Sequence, residues 1–142
     1  MFVFTNKFKS HPKNTVQTIN AWSHDIASMS ILEKYHEAFE TGDKKLMDEV
    51  IHNDCKLYPH VGGAVMSKDD VMAFAGSGMV RTEGLRILYE NDDVGVDHCI
   101  AHFANGSTSE AVLTFFEFSQ GKIIRIETGA TPLSDDYKLI GQ

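Results

Sequence analysis

At 142 residues, with 42% hydrophobic and 23% charged side chains, the chain has the composition of one globular domain, and no stretch approaches the roughly 20 apolar residues of a membrane-spanning helix. Thirteen Lys and Arg against 20 Asp and Glu give a formal net charge of −7, which repels phosphate backbones and anionic lipid surfaces; neither nucleic acid nor membrane is expected as a partner. Cys55 and Cys99 lack the Cys-x-x-Cys spacing of a redox or zinc site and read as reduced, packed thiols, and with no secretory signal legible in the first residues the protein is expected in the cytoplasm.

Residues 1–28 read as an N-terminal extension, a polar leader followed by a helical segment. Val16, Ile19, Trp22, Ile26, Met29, Leu32, Tyr35 and Phe39 recur every three or four residues, which places them on one helical face. One long helix, or two helices broken near Ser28 to Ser30, would satisfy that spacing. Gly42 supplies a helix stop, and Asp43 caps a short helix carrying Leu46, Met47, Val50 and Ile51. A strand is expected near residues 55–58, then a loop with Gly62 and Gly63. Ser67 caps a third helix, with Asp69 and Asp70 in its first turn where negative charge suits the helix dipole.

From Leu85 onward the pattern changes to strands, at residues 85–90, 94–104, 109–118 and 122–130. Asn105-Gly106 and Gln120-Gly121 mark hairpins, because glycine tolerates the positive φ of tight turns. Helices first and an antiparallel meander afterwards give an α+β fold, with three to four N-terminal helices on one face of a curved antiparallel sheet. The domain proper is expected over residues 29–133, and residues 134–142 form a tail.

Two segments carry a family resemblance: Ile31-Leu32-Glu33-Lys34-Tyr35-His36-Glu37-Ala38-Phe39-Glu40-Thr41-Gly42-Asp43, and Phe116-Glu117-Phe118-Ser119-Gln120-Gly121-Lys122-Ile123. With the Asn53-Asp54 pair between them, they resemble the nuclear transport factor 2-like superfamily and, within it, the SnoaL-like polyketide cyclases and ketosteroid isomerase relatives. The resemblance covers residues 31–132. It implies a cone-shaped, cystatin-like α+β roll around a single pocket, and the fold commonly pairs into homodimers.

In the ketosteroid isomerases a tyrosine seven residues before the Gly of Gly-Asp donates a hydrogen bond to the developing oxyanion, and Tyr35 stands at that spacing. Their aspartate general base falls in a neighbourhood that here reads Leu57-Tyr58-Pro59-His60, and their second, protonated aspartate is replaced by Thr114. Two of the three positions are changed, so steroid isomerase activity does not carry over. The resemblance also suggests Thr114, Phe116, Ile126 and Thr128 as pocket lining, and Tyr58 is a further ligand-binding candidate.

His60 stands closest to the missing base, and an imidazole exchanges protons near neutral pH. Strand parity transferred from the fold points His98, Ile100 and His102 inward and Cys99, Ala101 and Phe103 to the opposite sheet face, where they would bury against a twin subunit. The opposite parity, supported by the more apolar character of Cys99, Ala101 and Phe103, stays open. So do a plain core role for Tyr35 and a solvated one for His60. His98 and His102 lie about 13 Å apart along a strand and cannot share one metal ion. No metal and no cofactor are expected. The acidic residues Asp92, Asp93 and Asp97 read as a solvated edge. The expected function is binding of a small apolar molecule, with isomerase, cyclase or dehydratase chemistry on a carbonyl compound through Tyr35 and His60 or His102. The alternative is a non-catalytic ligand-binding or homo-association module.

Overall fold

The computed structural model describes residues 26–138, so the segment expected to hold the polar leader and most of the added helix lies outside the described residues. A 3₁₀ turn, Ile26–Ser28, precedes helix α1, Ile31–Thr41. The apolar periodicity therefore breaks at Ser30, and a local interaction explains why. Ser30 caps α1 by accepting the Glu33 amide on Oγ, while the Ser30 amide donates to Glu33 Oε2 at 2.7 Å. Glu90 ties this end to the sheet, accepting from Ser30 Oγ at 2.8 Å and from the Leu32 amide at 3.3 Å.

Gly42 ends α1 in the left-handed conformation, and Asp43 caps α2, Lys44–Val50. No loop separates α2 from strand β1, Ile51–Tyr58. Ile51, expected on the helix, instead opens the strand with its side chain fully buried. A two-residue strand β2, Met66–Ser67, leads into α3, Lys68–Phe74, where Ser67 and Asp70 form a second reciprocal cap. Strands β3, Val80–Glu90, β4, Val94–Phe103, β5, Glu110–Ser119, and β6, Lys122–Pro132, complete the chain.

The six strands form one sheet in the order β2-β1-β6-β5-β4-β3. The late meander is antiparallel, but β1 lies parallel to β6, with Leu57 opposite Ile126 and Tyr58 opposite Glu127. The sheet is therefore mixed rather than antiparallel. Residue alternation is the same for either direction, so it could not report this pairing. Among the described residues three α-helices accompany the curved sheet, giving an α+β architecture. Leu32 and Ala38 of α1, Met47 of α2, and Phe116, Ile123 and Ile126 of the sheet form the centre of the main core.

One close approach fixes the far end of α1 against the chain leaving α3. Gly42 and Gly76 both have positive φ, 68° and 71°, and a Cβ added at Gly76 would lie 2.7 Å from the Gly42 Cα. Only backbone is there to yield. The rings of Phe39 and Phe74, three residues before Gly42 and two before Gly76, sit 5.9 Å apart beside this contact. Gly76→Ala is expected to destabilise by about 2–5 kcal/mol, combining left-handed strain with overpacking, as read from a urea melt. A loss below about 0.5 kcal/mol would contradict the contact.

Candidate functional site

A cavity of about 260 Å³ opens between the helices and the inner face of the sheet. Its walls are mostly apolar, with Phe39, Leu57, Val71, Phe103, Val112 and Phe116 prominent. Tyr35 reaches it from α1 because it lies three residues after Leu32 and three before Ala38, on the face that packs against the sheet. Its ring meets Phe116 edge-on, with centroids 5.5 Å apart. Among the described residues no hydrogen bond reaches the Tyr35 hydroxyl, and none of the sealed polar side-chain atoms lacks a partner, so this hydroxyl opens to the cavity. Burial, and then the nearby Asp97 carboxylate, push its pKa above the ordinary tyrosine range. It is a neutral donor at any physiological pH.

Next to it stands a polar pair. His36, the neighbour of Tyr35 on α1, sits 2.6 Å through Nε2 from Oδ2 of Asp97 on β4, and both residues line the cavity. Asp97 is only 1% exposed. The imidazole and tyrosine rings are 5.2 Å apart in an edge arrangement. A phenol that can donate and a carboxylate that can accept therefore converge at the inner end of an apolar hollow.

Toward the mouth there is a second polar group. His60 follows β1, and its Nδ1 lies 2.8 Å from Thr128 Oγ1 of β6 while its Nε2 lies 2.8 Å from Glu110 Oε2 of β5. The His60 amide also donates to Thr128 Oγ1 at 3.0 Å. Among the described residues no three His, Cys, Asp or Glu side chains gather into a potential metal site.

Residues 32–126 match the model of the SnoaL-like domain. The chain belongs to that family. Solved structures with similar folds include an NTF2-like protein of unknown function from Cytophaga hutchinsonii, at 11% identity and a TM-score of 0.60, covering 72% of this chain and 88% of that one. IdmH of Streptomyces antibioticus, a candidate polyketide cyclase, aligns at 16% identity and a TM-score of 0.55 over 70% of this chain and 88% of its own. A candidate ketosteroid isomerase from Kribbella flavida aligns at 12% and 0.61, over 76% and 80%. At these identities they show the NTF2-like fold. None of the curated proteins matches the sequence.

In this SnoaL-like domain Tyr35, His60, Thr114, Phe116, Ile126 and Thr128 line the cavity, but Tyr58, His98, Ile100 and His102 do not. The expected parity of β4 is reversed. Asp97, Cys99, Ala101 and Phe103 face inward, so Cys99, Ala101 and Phe103 do not form the outer sheet face that was expected to meet a twin subunit. His102 instead holds Glu83 through Nε2 and Ser109 through Nδ1, each at 2.7 Å. Tyr58 points away because Leu57 and Pro59 take the inward positions, and the Arg125 guanidinium lies 4.5 Å over its ring. The more apolar alternate set takes the cavity side and Asp97 shares its parity, while Ile100, also buried, packs on the opposite face.

His36 and Asp97 were missed by the sequence reading. Two signals could have found them: the apolar Cys99, Ala101 and Phe103 set, which carries Asp97 inward with it, and the position of His36 four residues after Leu32 on α1. Cys99 lines the cavity wall, and burial pushes its thiol from an ordinary 9.0 up to about 11; burial does the same to Cys55, also to about 11. Both thiols are expected to resist iodoacetamide at pH 8, with a thiolate fraction roughly a hundredfold below that of the unfolded chain. Mass spectrometry of native and urea-unfolded samples checks this, and equal labelling rates would refute it.

Proposed function

We propose that this SnoaL-like domain binds a compact, mostly apolar carbonyl compound and catalyses a proton transfer on it, of the kind needed for isomerisation, cyclisation or dehydration. One observation carries the reading: the Tyr35 hydroxyl, without an internal partner among the described residues, opens into the same apolar hollow as Asp97. The hydroxyl would donate to the carbonyl oxygen as it gains negative charge, an interaction that strengthens in a site with little water. The Asp97 carboxylate would accept a proton from the carbon next to that carbonyl. His36 would donate from Nε2 to Asp97 and hold its orientation. His60 has both ring nitrogens engaged near the mouth and His102 lies outside the cavity, so proton handling moves from them to Asp97. Names given to distant structural neighbours, a candidate cyclase and a candidate isomerase, are compatible with such chemistry.

The test is exchange of the α-protons of 2-tetralone for deuterium, followed by NMR with the wild-type protein and with Tyr35→Phe and Asp97→Asn. Catalysed exchange that both substitutions suppress supports the reading. Exchange no faster than buffer, or unchanged in both variants, refutes it.

A second reading, association of two copies, has its own observation. Leu113 and Phe115 are 50% and 37% exposed on β5, at positions that alternate with the inward-facing Val112, Thr114 and Phe116. Covering such side chains with a twin subunit removes apolar surface from water. Light scattering is expected to give twice the 15.8 kDa chain mass, and Leu113→Glu to return the single-chain value. A wild-type monomer would refute the dimer.

A further inference from the structure

We infer that the ligand has two polar ends: a carbonyl at Tyr35 and Asp97, and a hydrogen-bond donor such as a hydroxyl at a separate station near the mouth formed by Thr128, His60 and Glu110. The choice of the carbonyl for the inner end rests on the function proposed above; the outer station rests on its own geometry. Asp97 is the cross-strand partner of Thr114, and Thr114 is the partner of Thr128. All three line the cavity, so a polar row crosses its otherwise apolar floor from β4 to β6. Adjacent strands are about 4.8 Å apart, which sets Asp97 and Thr128 roughly 10 Å from each other.

The middle of the row also points to a ligand. Thr114 is only 8% exposed, and among the described residues no hydrogen bond reaches its hydroxyl. A buried polar group of this kind is usually satisfied, and among the described residues none of the sealed polar side-chain atoms is left unpaired, so the hydroxyl faces the hollow.

With the His60 ring neutral, the outer station has a defined polarity. Glu110, as a carboxylate, only accepts, so His60 Nε2 carries the proton between them, and in the neutral ring Nδ1 then accepts the Thr128 hydroxyl proton. Thr128 Oγ1 already accepts the His60 amide. What remains for a ligand in the cavity is a lone pair on Thr128, because Glu110 stands outside the lining and acts through His60. That lone pair accepts, and the Glu110 charge behind His60 together with the net −7 of the chain opposes a carboxylate in the same place. The station therefore selects a donor, while the inner end offers the Tyr35 donor to a carbonyl.

Calorimetric titration with 2-tetralone, 6-hydroxy-2-tetralone and 6-methoxy-2-tetralone tests this, because the methoxy group can accept a hydrogen bond but not donate one. The hydroxy compound is expected to bind about five- to tenfold more tightly than the other two, the net worth of one hydrogen bond. Thr128→Val should erase that preference and Thr128→Ser should keep it, with circular dichroism checking the fold of each. Equal affinity for the hydroxy and methoxy compounds, a preference that survives Thr128→Val, or no binding of any of the three would overturn the inference. The two readings fail separately: a hydroxyl preference alongside proton exchange that is unchanged in Tyr35→Phe and Asp97→Asn removes the proposed chemistry and leaves the outer station standing.

Discussion

Asp97→Asn is expected to slow proton exchange on 2-tetralone by about 10²–10⁴-fold while leaving the fold in place. Asparagine has nearly the same shape and keeps an oxygen that accepts the His36 Nε2–H, so the pair that joins α1 to β4 survives. It cannot take up a proton at neutral pH, and only the chemistry should be lost. Asp97→Ala makes the contrast. It leaves the His36 donor without its partner beside an apolar wall, and about 1–3 kcal/mol of stability should go with it. NMR exchange rates and thermal melts on the two variants separate these effects. An asparagine variant as fast as wild type would remove Asp97 from the reaction.

Tyr35→Phe is expected to lower the same rate by about 10²–10³-fold, the usual cost of deleting one hydrogen-bond donor from a developing oxyanion. Stability near pH 7 should hardly change, because the hydroxyl has no internal hydrogen bond to lose among the described residues. Because the two groups act on one substrate, the double variant should not multiply the single losses. The raised pKa of Tyr35 adds a signature at high pH. In the unfolded chain a tyrosine releases its proton near pH 10, whereas in the folded protein Tyr35 keeps it to higher pH. The folded state therefore binds more protons above that point, and stability falls as the pH rises past about 10. Denaturant melts at pH 8 and pH 10.5 should show a smaller fall for Tyr35→Phe than for wild type. An identical fall would mean that the ring is not held as described.

Much of the fold was legible because its signals are local. Gly42, Asp43 and Ser67 act within a few residues of themselves, and each ends or caps the helix that the sequence assigns to it. Tyr35 was likewise readable, from its place on an apolar helical face and its distance from Gly42. The inward set on β4 was not, because alternation names two faces without saying which is buried. Family parity favoured His98 and His102; side-chain apolarity favoured Cys99, Ala101 and Phe103, and apolarity matched the structure. Asp97 was obscured by company, since Asp92 and Asp93 in the preceding turn made it look like one more solvated acid. The parallel neighbour of β1 was illegible for a different reason: it depends on which distant strand the crossover through α3 brings alongside, and no short window contains that.

The side-by-side placement of β1 and β6 bears on how the molecule assembles. Strands β3 to β6 zip together through neighbours in the chain, but β1 has to wait for the last strand before it can join them. Thr128 and His60, which meet across that seam, are 68 positions apart. Closing so long a loop is entropically unfavourable until the pairing is made, so the seam belongs to the slow part of folding. The mouth of the hollow and the β6 end of its floor are thus completed together and last, and a chain cut short before β6 would lack both.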